Sequence, residues 1–180
     1  MEKISVVLAD DHVLVRKGIK AMLESDTEIN VVGEASSGLE ALQVAGALKP
    51  NILVLDIRMP EMTGLEAAAK LDSFAPTTKA VILSMHDSEE YVLQALDAGA
   101  YGYLLKDTDK NEFVKALKQI HAGSANWHEQ IIKDPEVERR FVEMGYVTTG
   151  STPEEYQAKL KFETERWTKV VKDTGIKVES

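Results

Sequence analysis

Five short apolar runs, each followed by a stretch with helical spacing, constrain this chain more than any other feature. The runs are Ile4–Ala9, Val31–Ala35, Ile52–Leu55, Ala80–Ser84 and Tyr101–Leu105. Each has strand length, and three are rich in Val and Ile. Between and after them come Val13, Ile19, Met22 and Leu23; Leu39, Leu42 and Leu48; Leu65, Ala68 and Leu71; Val92, Leu93 and Leu96; and Phe113, Leu117 and Ile120. Five βα units in succession predict a parallel sheet covered by helices on both faces. Right-handed crossovers make that sheet doubly wound.

After Gly123 the alternation stops, so the chain divides into residues 1–122 and 123–180. Two helix starts stand out in the second part. Asp134-Pro135-Glu136 places a capping residue before a proline at the first helical position, with Gly145 as a stop. Thr152-Pro153-Glu154-Glu155 forms a capping box that opens a helix running to about Asp173. A short strand is expected at Tyr146–Thr149. Two helices of this size make little core alone. Phe141, Tyr146, Tyr156, Leu160 and Trp167 are therefore expected to dock on the first part, with the strand extending the sheet at its fifth-strand edge.

The formal net charge of −9 argues against non-specific affinity for DNA or an anionic membrane. There is no cysteine, which removes disulfides, thiolate-bound zinc and thiol catalysis. The apolar run at Ile4 is too short for a signal peptide core or a membrane span, so a soluble cytoplasmic protein is expected.

The charged residues at the strand ends carry the chemistry. Asp10 and Asp11 follow the first run, Asp56 the third; Ser84 ends the fourth, and Lys106 follows the fifth. In an open parallel sheet these ends converge where the strand order reverses. Singly, each has a plainer reading: Asp11 as a helix cap, a lysine as a solvated side chain. Together, three carboxylates, a hydroxyl and an ammonium fit one task. Clustered carboxylates repel unless a cation joins them, and Mg²⁺ prefers such oxygen ligands. Asp56 can then act as a nucleophile toward phosphorus. The developing charge on the phosphoryl oxygens would be balanced by Mg²⁺, Lys106 and Ser84.

Four stretches resemble the receiver domains of bacterial two-component response regulators, with wording closest to the NarL/FixJ subfamily. They are Val6-Val7-Leu8-Ala9-Asp10-Asp11-His12, Asp56-Ile57-Arg58-Met59-Pro60-Glu61-Met62-Thr63-Gly64, Leu83-Ser84-Met85-His86-Asp87 and Gly99-Ala100-Tyr101-Gly102-Tyr103-Leu104-Leu105-Lys106-Asp107. The resemblance covers residues 3 to about 122. It implies a flavodoxin-like (CheY-like) sheet of order 2-1-3-4-5. It implies Asp56 as phosphoacceptor, and Mg²⁺ held by Asp10, Asp11, Asp56 and the Arg58 backbone carbonyl. Lys106 would contact the phosphoryl group, and Ser84 and Tyr103 would form a switch whose ring turns inward. The implied partner is a histidine kinase or a small phosphodonor, with the chain monomeric or weakly dimeric. Such a module is a phosphoacceptor rather than an enzyme with turnover.

The remaining residues depart from that family. Residues 123–180 hold 9 Lys and Arg against 11 Asp and Glu, a net of −2, and offer no basic recognition helix. No nucleic-acid partner is expected from them. From Asp134 through Gly175-Ile176-Lys177 they resemble the C-terminal end of the tripartite tricarboxylate transporter receptors, periplasmic solute-binding proteins of the Bug family. That pairing points to an engineered chimera, a folded α/β scaffold without physiological output. Solute binding is the weakest reading, because the lobes that would hold a solute have no counterpart here.

Overall fold

Each apolar run becomes a strand of one parallel sheet. The structure is a computed structural model that describes residues 3–86, 88–124 and 126–127, all within the unit Met1–Arg139. In chain order the elements are β1 (Ile4–Ala9), α1 (Val13–Glu24), β2 (Ile29–Ala35), α2 (Gly38–Leu48), β3 (Ile52–Asp56) and α3 (Gly64–Lys70). A 3-10 turn at Leu71–Ser73 follows, then β4 (Lys79–Ser84), α4 (Glu89–Asp97), β5 (Gly102–Leu105), α5 (Lys110–His121) and β6 (Asn126–Trp127). The helices and strand expected from residue 134 onward, and the docking of their aromatics, lie outside the described residues.

The sheet order is β2-β1-β3-β4-β5-β6, and every pair is parallel. Its first five strands keep the expected order 2-1-3-4-5. The sixth comes from a different place than expected. Asn126 and Trp127 pair with Gly102 and Tyr103 at the β5 edge, the edge expected to receive residues 146–149, which lie outside the described residues. A two-residue strand has no room for a period-2 pattern, so the sequence gives no sign of it.

Alternation along the strands builds two cores. Val6, Leu8, Val54, Val81, Leu83 and Leu104 join Leu23 of α1 and Phe113, Leu117 and Ile120 of α5 in one cluster. The intervening residues Val7, Ala9, Leu53, Leu55 and Ile82 are buried on the other face. There α2 and α3 present small residues, Ala41, Ala45, Ala67 and Ala68, all buried. β3 is buried at every position, as a strand covered on both faces must be.

The helices form where the spacing put them, but not all of the apolar residues that mark them turn inward. Leu39 and Leu48 of α2, and Val13 of α1, are exposed rather than facing the core. In α2 nearly every residue is apolar, so spacing alone cannot select the inward side. Close approach selects it: Ala41, Leu42 and Ala45 are buried. Leu71 belongs to the 3-10 turn rather than to α3, but it is buried as expected.

Three of the helix starts near the site are fixed by side chains. Thr63 and Glu66 form a reciprocal capping box at α3. Ser37 caps α2 through the Glu40 N–H, and Asp109 caps α5 through the Asn111 N–H. Among the described residues, no helix is long and apolar enough to cross a membrane.

Candidate functional site

β1 and β3 are neighbours, yet the chain leaves β1 toward β2 on one side and later returns to β3 on the other. Their C-terminal ends are therefore the point where the order reverses. Asp10 continues β1 there, with its N–H donated to the Ala35 carbonyl at 3.1 Å. Asp56 is the last residue of β3, in register with Leu83, one residue before Ser84. Ser84 pairs with Leu105, and the Lys106 N–H donates to the Ser84 carbonyl at 2.7 Å. Strand register alone thus brings Asp10, Asp56, Ser84 and Lys106 to one edge.

The side chains close the arrangement. Lys106 Nζ lies 2.7 Å from Asp10 Oδ2 and 3.0 Å from Asp56 Oδ1, and all three side chains are buried. Asp11 is exposed, and its Oδ1 lies 2.7 Å from His12 Nδ1. Ligand atoms of Asp10, Asp11, His12 and Asp56 all fall within 4.8 Å of one another. Asp11 does not cap α1, as its plainer reading had it; the cap position is His12, with no side-chain cap bond. Asp10 shapes that turn instead, its Oδ1 accepting the His12 N–H at 2.8 Å.

Electrostatics follows from this crowding. Burial pushes the Asp56 carboxyl above its ordinary range; the Lys106 ammonium pulls it back down, and Asp10 and Asp11 add to the rise. Burial by itself would lower the Lys106 ammonium, but its bonds to Asp10 and Asp56 outweigh that and hold it above its ordinary value. The ammonium is thus firmly charged, while Asp56 sits where ionisation is disfavoured. A hard cation with oxygen ligands matches this donor set, since it would relieve the repulsion among the carboxylates.

The loop after Asp56 is tightly packed. A Cβ on Gly64 would stand 2.0 Å from the Asp56 carbonyl oxygen, and one on Gly38 2.3 Å from the Met62 carbonyl oxygen. Only glycine lets these backbones approach so closely. Between them Glu61 has φ of 65°, and the Met62 N–H donates to the Pro60 carbonyl at 2.7 Å. That is a γ-turn, a strained conformation for a residue with a side chain. Arg58, two residues past Asp56, is exposed, and its guanidinium reaches the Tyr91 hydroxyl at 3.5 Å.

Ser84 and Tyr103 meet at one residue, His86. The Ser84 Oγ accepts the His86 N–H at 3.0 Å, and the Tyr103 hydroxyl donates to the His86 carbonyl at 2.6 Å. Tyr103 is fully buried, so its ring already occupies the inward position.

Sequence reasoning missed two residues near the site. His12 was visible as the neighbour of Asp10 and Asp11 but received no role. Arg16 donates from Nη1 to the Asp10 carbonyl, while its Nε donates to Glu34 Oε2 at 3.0 Å. Its one sequence signal is the spacing of four from His12, which puts both on one helix face. A groove of about 590 Å³ lined by Ser25, Asp26, Lys110, Val114 and Lys118 lies between the turn after α1 and α5. It holds none of the residues gathered at the strand ends, so the chemistry, not the concavity, locates the site.

Known proteins resemble this chain in sequence and fold. The response regulator receiver domain profile matches residues 6–118. YxjL of Bacillus subtilis (strain 168), named as a transcriptional regulatory protein, is 43% identical over 124 residues, 69% of this chain and 57% of that one. The nitrate/nitrite response regulator protein NarL of Escherichia coli (strain K12) is 41% identical over 122 residues, 68% of this chain and 56% of that one. The solved signal receiver domain of NarL from Mycobacterium tuberculosis has a TM-score of 0.66 at 42% identity, covering 68% of this chain and 99% of that one. The chain thus spans little more than half the length of the curated relatives it matches. With a family profile across most of its length and relatives above two-fifths identity, the chain belongs to the response regulator receiver domain family.

Proposed function

We propose that this chain accepts a phosphoryl group on Asp56, from a histidine kinase or a small phosphodonor, in a Mg²⁺-dependent reaction. The observation that carries the reading is the Lys106 ammonium held between Asp10 and Asp56 at 2.7 and 3.0 Å. An Asp56 carboxylate oxygen attacks phosphorus, an acyl phosphate bond forms, and the bond to the donor's nitrogen or oxygen breaks. The leaving group takes the electron pair and a proton from solvent. Lys106 lies on Asp56 Oδ1 and can neutralise an oxygen of the incoming phosphoryl group. Ser84 already accepts the His86 N–H, which leaves its own O–H to donate to another. Asp10, Asp11, Asp56 and the Arg58 carbonyl would hold Mg²⁺, which when bound supplies positive charge to the same oxygens. Tyr103, fastened like Ser84 to the backbone of His86, would report the change at Asp56.

The relatives' names tie them to transcription, whereas the net charge of −2 over residues 123–180 supports a reading without a nucleic-acid partner for those residues; the alternative reading is a chimeric scaffold without physiological output. The boundary at residue 122, the Bug-family likeness, the chimeric origin, the cytoplasmic location and a monomeric or weakly dimeric state remain part of this reading. Those concerning the tail rest on its sequence alone.

The test is direct. Incubation with Mg²⁺ and acetyl phosphate should add about 80 Da, the mass of one phosphoryl group, and Asp56→Asn should add nothing. No gain in the parent, or an equal gain in the variant, ends the proposal.

A further inference from the structure

The carboxylates of the cluster are aimed by groups outside it. Asp10 has every polar group engaged. Its N–H goes to Ala35, its Oδ1 takes the His12 N–H, its Oδ2 takes Lys106, and its carbonyl takes the Arg16 guanidinium. The last of these fixes the peptide plane between Asp10 and Asp11, and with it the direction in which Asp11 leaves the strand. The first helical bond of α1, from the backbone N–H at position 16 to the His12 carbonyl at 3.0 Å, closes the same turn whatever side chain stands there. The guanidinium is itself anchored. Its Nε bonds Glu34 Oε2 on β2 at 3.0 Å, and Lys20 holds the other Glu34 oxygen at 2.8 Å. These two cations keep the Glu34 carboxyl below its ordinary range.

We propose that Arg16, braced on Glu34, is a positioning residue that sets the Asp10–Asp11 turn for cation binding. It rests on the phosphoacceptor reading, since the cation is the one that reading requires. Arg16 touches no carboxylate of the cluster among its described bonds, so its effect passes through the Asp10 carbonyl. The fork geometry matters: one guanidinium reaches a carbonyl and a carboxylate at once, which a lysine ammonium on a flexible stem does less well. Metal sites commonly depend on such outer partners, whose loss weakens binding about 10- to 100-fold.

The experiment is a calorimetric titration of the full chain with MgCl₂, in the parent and in Arg16→Gln, Arg16→Lys and Glu34→Gln, followed by acetyl phosphate labelling across Mg²⁺ concentrations. Arg16→Gln should weaken Mg²⁺ binding about tenfold, with Arg16→Lys and Glu34→Gln between it and the parent. At saturating Mg²⁺ the labelling rate of Arg16→Gln should return to within about twofold of the parent, since the reacting groups Asp56, Lys106 and Ser84 are untouched and only metal affinity has changed. A general packing defect would lower the rate at every Mg²⁺ concentration, and that result overturns the proposal. So does unchanged Mg²⁺ affinity in Arg16→Gln. If Arg16→Gln fails to fold, Glu34→Gln decides, and parental affinity there overturns it. A parent that binds no Mg²⁺ overturns the phosphoacceptor reading itself, and this inference falls with it.

Discussion

Two lysines of the same sheet do opposite kinds of work. Lys106, after the C-terminal end of β5, is buried between Asp10 and Asp56. Lys79, at the N-terminal end of β4, donates to the carbonyls of Ile120 and His121 at 2.7 and 3.2 Å and lies over the Tyr101 ring. The second is a stabilising contact: a cation placed on the last carbonyls of α5, where the helix dipole is negative. The first holds together carboxylates that would otherwise repel. Like charges and a strained turn collect at the C-terminal ends of the strands, whereas at the N-terminal end of β4 a cation rests on helix carbonyls. The contrast teaches that the same residue type gathers reactive groups at one end of the strands and only stabilises at the other.

Substitutions can break or sharpen that contrast. The largest effect is expected from Gly64→Ala, whose new methyl would press on the Asp56 backbone; it should lower stability by about 3 kcal/mol in urea unfolding and slow labelling as Asp56 shifts. Lys106→Met comes next. Removing one partner of a buried ion pair costs about 3–5 kcal/mol, but the cluster opens to water through Asp11 and His12, so about 2 kcal/mol is expected. Adding Mg²⁺ should restore much of that loss, which an ordinary core lesion would not allow.

Asp56→Asn should move stability the other way. The folded-state carboxyl is raised, so its contribution favours folding below the unfolded value near 3.9. That contribution fades as pH rises through the folded value. At neutral pH without Mg²⁺ the variant should melt higher than the parent by about 4 °C, the shift made by roughly 1 kcal/mol in a domain of this size. At pH 3 the difference should vanish. An equal gain at both pH values would show that ionisation is not its cause. The smallest effect belongs to Lys79→Met, a loss of about 0.5 kcal/mol with labelling unchanged. A labelling defect there would mean that the two ends are not separate.

Much of this was legible because β strands carry their register into the sequence. Once five runs were read as parallel strands, the residues after them had to meet, and Asp10, Asp56, Ser84 and Lys106 do. Arg16 was not legible, because it acts on a carbonyl, which no residue type announces. The inward side of α2 stayed hidden for a different reason: its apolar residues surround the helix, and packing against Met62 and β1, not periodicity, selects the buried ones. Asn126–Trp127 joins the sheet by edge pairing, where hydrogen bonds rather than side-chain pattern decide.

The position of β3 has a consequence for time as well as place. Every residue of it is buried, with β1 on one side and β4 on the other. Amides in such a strand exchange with solvent only when the whole domain opens, whereas edge strands and loops open locally at far lower free energy. Asp56 therefore belongs to the slowest-exchanging part of the described residues. Its exchange should be governed by global unfolding, and the amide of His86 should exchange many times before that of Leu55 does once.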